Sequence, residues 1–195
     1  MNPNDKDSEL ETTVPGAISK PVSSCFEWVE ALIPALIIIL AIFTVLFRVI
    51  TVNGSSMEPN LINGYKMFVS CFDRSYKTGD VVVIDGKGTN LNIVLVKRVI
   101  ATGGQTVDID FNTGIVSVDG KQLDESAYIK NGITKDQADV TFPQKVPDGH
   151  IFVLGDNRSI SEDSRFSEVG MIDQRYVIGK ANFIIMPFSK FGKLQ

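Results

Sequence analysis

Two adjacent serines, Ser55 and Ser56, stand in the segment VNGSSMEPNL at residues 52–61. A serine hydroxyl is a weak nucleophile until a neighbouring group takes its proton, so a base must lie elsewhere in the chain. The chain has a single histidine, His150, in VPDGHIFVLGDN. A Ser-His-Asp triad would have to use it, and no Gly-x-Ser-x-Gly turn surrounds either serine. One histidine and one cysteine, Cys71, after the first fifty residues do not supply a zinc ligand cluster. Gly103-Gly104 matches neither the dinucleotide nor the P-loop pattern. Lysine is the remaining base.

Lys97 lies inside the apolar run IVLVKRVI, residues 93–100. On a pleated strand it shares a face with Ile93, Leu95 and Val99, while Arg98 points the other way with Val94, Val96 and Ile100. An apolar wall disfavours the ammonium and lowers its pKa, which produces the neutral amine that a lysine general base requires. The pattern alone also fits a lysine at a sheet rim that snorkels or pairs with an acid. A third stretch, LGDNRSISEDSR at 154–165, leaves an apolar strand and alternates acids and bases around three serines. Such Asp/Asn/Ser-rich segments form tight loops, and a rigidly supported loop is where a hydroxyl could orient an amine.

The elements that must position these groups are legible in outline. From Ala31 to Phe47 the run ALIPALIIILAIFTVLF carries no charge, and it could extend through Val49 to Val52. A bilayer-spanning helix needs about 17–25 such residues. Trp28 sits where an interfacial aromatic belongs. The thirty residues before the run are mostly polar and acidic, unlike the basic leader of a removed signal. We therefore expect a disordered tail over 1–26, a transmembrane anchor over 27–50 and a folded domain over 51–195. Lys20 on one side of the anchor and Arg48 and Lys66 on the other leave its orientation open.

The folded part reads as mainly β. Short apolar or alternating runs at 81–85, 93–100, 106–110, 114–120 and 150–156 are punctuated by glycine and aspartate. Asp119-Gly120 suits a type I′ hairpin turn. A net charge of −4 with scattered lysines and arginines leaves no basic face, which argues against a nucleic-acid partner.

At these residues the chain resembles the type I signal peptidases, membrane-anchored Ser–Lys endopeptidases. GSSMEPNL is similar to the family's Ser-Met-x-Pro segment and GDVVVI (79–84) to its following strand. KRVIATGG (97–104) resembles the Lys-Arg segment, and GDNRSISEDSR (155–165) the Gly-Asp-Asn-Arg…Asp-Ser-Arg segment. Few insertions separate them, as in the compact Gram-positive forms. The resemblance implies one N-terminal transmembrane helix and a β-rich catalytic domain on the extracytoplasmic side. It implies Ser56, the serine directly before Met57, as nucleophile, Lys97 as general base and Ser161 as the hydroxyl that bonds the lysine. Arg98 with Asp156, and Asp163 with Arg165, match ion pairs that brace the site.

Val52, Met57, Leu61, Leu95 and Val96 match the positions that line the substrate pockets, and small substrate residues are expected at −1 and −3. Some family members carry a serine donor to the oxyanion two residues before the nucleophile; here Gly54 stands there, next to Ser55. Other departures are Asn60 for a frequent Thr, Thr102 for a frequent Pro and Ile160 at a commonly polar position. The implied partners are signal peptides of exported preproteins and the lipid bilayer, with neither metal nor organic cofactor. Cys25 and Cys71, on opposite sides of or within the flank of the anchor, are not expected to form a disulfide.

Two other classes fit less well. A self-cleaving repressor shares the Ser–Lys logic but has a DNA-binding region and no membrane anchor. An inactive or accessory membrane-tethered relative would be expected to have lost Ser56 or Lys97. Ser56→Ala is expected to abolish cleavage of a preprotein carrying Ala-x-Ala, while Ser55→Ala retains most of it and His150→Ala stays active. A gel-based cleavage assay decides the choice, and the reverse outcome for the two serines would assign the wrong hydroxyl.

Overall fold

A computed structural model of the protein describes residues 20–130 and 133–194. Most of the expected N-terminal tail, 1–19, lies outside the described residues. A single α-helix, α1 (Lys20–Leu46), contains the apolar stretch Phe26–Leu46, which is long and apolar enough to cross a membrane. The side chains of Phe26–Val45 are exposed all round, Trp28 included, as a helix solvated by lipid requires.

The helix ends before the expected boundary at 50. Residues 47–50, expected in the anchor, are strand, and so is Thr51. Arg48 and the β-branched Val49, Ile50 and Thr51 favour a strand, and this one finds a partner in Lys66–Ser70.

The remaining chain is β. Its strands are β1 (Phe47–Thr51), β2 (Lys66–Ser70), β3 (Val81–Ile84), β4 (Leu95–Thr102), β5 (Thr106–Asp110) and β6 (Ile115–Val118), followed by the short β7 (Lys121–Gln122) and β8 (Gln144–Lys145). β9 (His150–Leu154), β10 (Ile172–Asp173), β11 (Val177–Met186) and β12 (Gly192–Lys193) complete the set. The larger sheet runs β1-β2-β11-β3-β4-β9-β10 with β12 on β11, and every pairing in it is antiparallel. The smaller sheet runs β7-β6-β5-β8.

The unbroken apolar run of β3 has a simple cause. Val82 and Ile84 enter one core cluster with Leu95, Val99, Ile151 and Val153, while Val81 and Val83 enter another with Val52, Met57, Leu61 and Met67. Both faces of the strand are buried, so neither alternates with polar residues. A third cluster joins Ile100, Ala101, Phe152 and Leu154 to Val107, Ile109, Val116 and Val118 of the smaller sheet. The turn after β6 has Asp119 at φ 52° and Gly120 at φ 74°, the two left-handed residues of a type I′ hairpin.

Strand β4 begins at Leu95 rather than at Ile93, and Ile93 and Val94 are exposed instead of lying on the sheet. Phe152 is fully buried and meets Phe142 edge-on with centroids 5.9 Å apart. Phe152→Ala is expected to destabilise the β domain by about 3–5 kcal/mol. Denaturant titration of the full chain in detergent, compared with wild type, measures this loss.

Candidate active site

Lys97 sits in the middle of the larger sheet. It is the register partner of Val82 on β3, and the pleat gives it the side of Leu95 and Val99. Its side chain is 2% exposed. Burial pulls its pKa down from 10.5 to about 8, although the negative charges of Asp163 and Glu162 pull the other way. Lys97 Nζ makes no hydrogen bond among the described residues, and no carboxylate is within ion-pair distance of it. The desolvated amine is therefore poised between its two protonation states near neutral pH.

The serines arrive from a different element. After β1 the chain turns through residues 52–64, and the two ends of this segment are tied together by Val52 N–H to Tyr65 O at 2.8 Å and Gly64 N–H to Val52 O at 2.9 Å. Met57 and Leu61 fill the core behind it. Gly54 has φ +98°, a backbone conformation that a side chain disfavours, and its N–H donates to Asn63 Oδ1 at 3.0 Å. A serine at this position would be strained, which accounts physically for the missing hydroxyl donor. The Ser56 N–H donates to no group among the described residues.

Ser55, Ser56 and Lys97 line one cleft of about 200 Å³ together with Gly54, Val52, Met57, Leu95 and Val96. Asn53, Ile93, Val94, Ile160 and Glu162 complete its lining. Leu61 does not reach the cleft and is fully buried in the cluster behind Met57. His150 is not among the lining residues; it opens β9 with Nδ1 3.1 Å from Asp148 O.

The loop 155–165 holds these two elements in register. Asn157 N–H donates to Ser56 O at 2.9 Å, and Asn157 Nδ2 donates to Ser55 O at 3.3 Å. Gly155 lies so close that an added Cβ would overlap the Ser161 side chain and stand 2.6 Å from Ser56 O. Ser161 Oγ is buried and has no hydrogen-bond partner among the described residues. Such an orphan hydroxyl costs about 1–3 kcal/mol, so its presence two residues before Asp163 calls for a purpose.

Three buried arginines brace the loop. Arg98, on β4 beside Lys97, grips Asp156 with two bonds of 2.7 Å and donates to Gly79 O at 2.8 Å. The Tyr128 ring covers the same guanidinium at 4.1 Å. Arg165 donates to Asp163 Oδ1 at 2.8 Å and closes the loop through Arg158 O at 2.8 Å and Ser161 O at 3.2 Å. Asp163 Oδ2 accepts from Gly155 N–H at 3.0 Å. Arg158 bonds Gly155 O at 3.1 Å, Thr134 Oγ1 at 2.6 Å and Glu125.

Four contributors went unassigned in the sequence. Asn60 donates to Asp156 Oδ2 at 2.8 Å and Tyr128 O at 2.7 Å, so it joins the serine segment to the Arg98–Asp156 pair. Asn157, Gly155 and Arg158 do comparable work. The asparagine in the Gly-Asp-Asn-Arg run was a usable signal, whereas no sequence pattern connects Asn60 with Tyr128 across 68 residues.

Comparison with known proteins adds family information to this geometry. The family model described as signal peptidase, peptidase S26, matches residues 25–186. A signal peptidase I of Bacillus licheniformis is 37% identical over 179 residues, 88% of this chain and 94% of that protein. Signal peptidase I T of Bacillus subtilis (strain 168) is 33% identical over 195 residues, 96% of this chain and 98% of its own. A crystal structure of a signal peptidase I from Enterococcus faecalis V583 is similar at 26% identity with a TM-score of 0.44, covering 54% of this chain and 96% of that one.

Gly155→Ala is expected to push the loop off the Ser56 carbonyl. A displacement of about 1 Å costs roughly 100-fold in rate, so kcat should fall by about that factor. Steady-state kinetics on a peptide substrate measures it, and unchanged kcat would show that the contact does not position the site.

Proposed function

From the premise that the chain belongs to the signal peptidase family, peptidase S26, we propose that Ser56 is its nucleophile and Lys97 its general base. The protein is a membrane-bound serine peptidase that removes signal peptides. The observation that carries the residue assignment is Lys97 itself: an amine 2% exposed, with a pKa pulled down to about 8, in the cleft that also holds Ser56.

The chemistry is acyl transfer. Neutral Lys97 takes the Ser56 hydroxyl proton as Oγ attacks the peptide carbonyl carbon that ends the signal sequence. The Ser56 N–H, which has no other partner among the described residues, donates to the oxyanion. The C–N bond then breaks, and the leaving amine takes the proton from Lys97. Lys97 next takes a proton from water as the water oxygen attacks the ester, and it returns that proton to Ser56 Oγ as the C–O bond breaks and the signal peptide leaves as its acid. The implied bond from Ser161 to Lys97 is not formed in this structure, so Ser161 Oγ would orient the amine only after a small side-chain rotation, while the Arg98–Asp156 and Asp163–Arg165 pairs hold the strand and loop that carry the two groups. No cofactor enters any step.

Val52, Met57, Leu95 and Val96 give the cleft apolar walls and little room, which favours small residues at −1 and −3 of the preprotein. An extended substrate would add to strand edges beside the cleft. We place α1 as a single span among the described residues, the residues before it on the cytoplasmic side and the β domain outside the cytoplasm. An accessory role without catalysis is the weaker reading, because Ser56 and Lys97 are both present and line one cleft.

With a Lys97 pKa of about 8, about a tenth of the enzyme has the neutral amine at pH 7 and about nine tenths at pH 9. The kcat/KM should therefore rise about tenfold between those values, with no histidine-like step near pH 6.5. Lys97→Arg should be inactive, because a guanidinium stays protonated throughout this range. A pH–rate profile run with both proteins tests the assignment, and appreciable turnover by Lys97→Arg would overturn it.

A further inference from the structure

A second cleft, of about 320 Å³, lies apart from the serines and collects three guanidinium groups from three separate elements. Arg48 comes from β1, Arg74 from the segment after β2, and Arg175 from the turn before β11. Neither Arg48 nor Arg74 has an ion-pair partner among the described residues. The nearby acids do not neutralise them. Asp73 and Asp80 are both held by Lys180, at 2.8 and 3.2 Å. Asp173 binds Nε and Nη2 of Arg175, which leaves Nη1 without a bond. Asp85 is the one carboxylate in the lining, and it accepts from Lys87 N–H at 3.1 Å. With Arg175 paired to Asp173, the charges of Arg48 and Arg74 face the single lining carboxylate of Asp85, and Arg175 Nη1 adds a further donor.

Its position narrows the ligand. Val45, in the last turn of the candidate span Phe26–Leu46, lines the same cleft, and Arg48 follows the end of that span by two residues. A cleft at the end of a membrane span lies at the depth of lipid headgroups. Guanidinium groups match phosphate oxygens in two-bond geometry, and a cleft of this volume is within the range that holds small ligands.

We infer that Arg48, Arg74 and Arg175 form a binding site for the phosphate of an anionic phospholipid. Asp85 and Tyr176 are also in the lining, and polar groups of these types suit headgroup hydroxyls. A lipid so held would fix the start of β1, and through β1 the segment that carries Ser56. The inference rests on membrane anchorage and not on the assignment of Ser56 and Lys97, and its test reads binding and not cleavage.

The test uses the full chain in micelles of an uncharged detergent, titrated with phosphatidylglycerol, phosphatidylcholine or inorganic phosphate while thermal unfolding is followed. Phosphatidylglycerol at about ten times its dissociation constant should raise Tm by roughly 3–6 °C, and phosphatidylcholine should raise it little. The double substitution Arg48→Gln with Arg74→Gln should weaken the apparent affinity at least about tenfold. Lys190→Gln with Lys193→Gln removes the same charge from exposed positions outside the cleft and should leave the affinity near that of wild type. Arg74→Gln alone, in an exposed loop, should weaken it at least about threefold and serves if the double variant does not fold. Equal losses in the arginine and lysine pairs would reduce the effect to general surface charge and overturn the site. A full shift with inorganic phosphate alone would overturn the lipid as its source.

Discussion

The burial of one amine governs the rest of this structure. A lysine in mid-sheet, buried at the cleft that also holds Ser56, keeps its lowered pKa only while the strands around it stay closed. That requirement places Lys97 on an interior strand between β3 and β9. It also forces the adjacent Arg98 into the interior, since alternate residues of a strand buried on both faces are both desolvated. A guanidinium cannot shed its charge as an amine can, so it needs a fixed partner. Asp156 is that partner, bound through both oxygens, and the demand of Arg98 thereby fixes where the loop after β9 begins.

From there the constraints propagate by backbone contact. Asp156 is flanked by Gly155 and Asn157, one packed against and the other bonded to the Ser56 carbonyl. Asn60 closes the circuit by bonding Asp156 from the serine segment itself. Buried ion pairs are poor sources of net stability, because desolvation offsets their attraction, but breaking one by removing a partner is costly. The three buried arginines therefore serve geometry more than stability, since each ties the loop to fixed acceptors through several donors.

The membrane helix adds a further limit through chain length. Ser56 follows Leu46, the last helical residue, by ten positions, which an extended chain covers in at most roughly 35 Å. Half of that stretch is β1, tied to β2 by five register pairs, so the segment that carries Ser56 is a fixed projection from the sheet and not a free tether.

The sequence by itself determined the anchor, the β class, the serine segment and the lysine. Those features are written in local periodicity: a charge-free run of helical length, unbroken apolar strands and a lysine set among valines. It placed the Asp119-Gly120 turn because two left-handed residues allow few alternatives. The choice of Ser56 over Ser55 came from family resemblance, since adjacent hydroxyls differ in no local pattern. What only the tertiary structure decided are relations across long stretches of chain. The apolar run continues past residue 46, yet strand pairing with β2 ends the helix there. Ile93 and Val94 look like strand, yet the sheet begins after them. Leu61 stands among the cleft residues in sequence but turns into the core. The bonds from Asn60 to Asp156, 96 residues away, and from Asn157 to Ser55, 102 residues away, have no counterpart in local spacing. Such contacts form because buried donors and acceptors must be satisfied by whatever the fold brings near, and proximity of that kind is a property of the packed sheet and not of neighbouring residues.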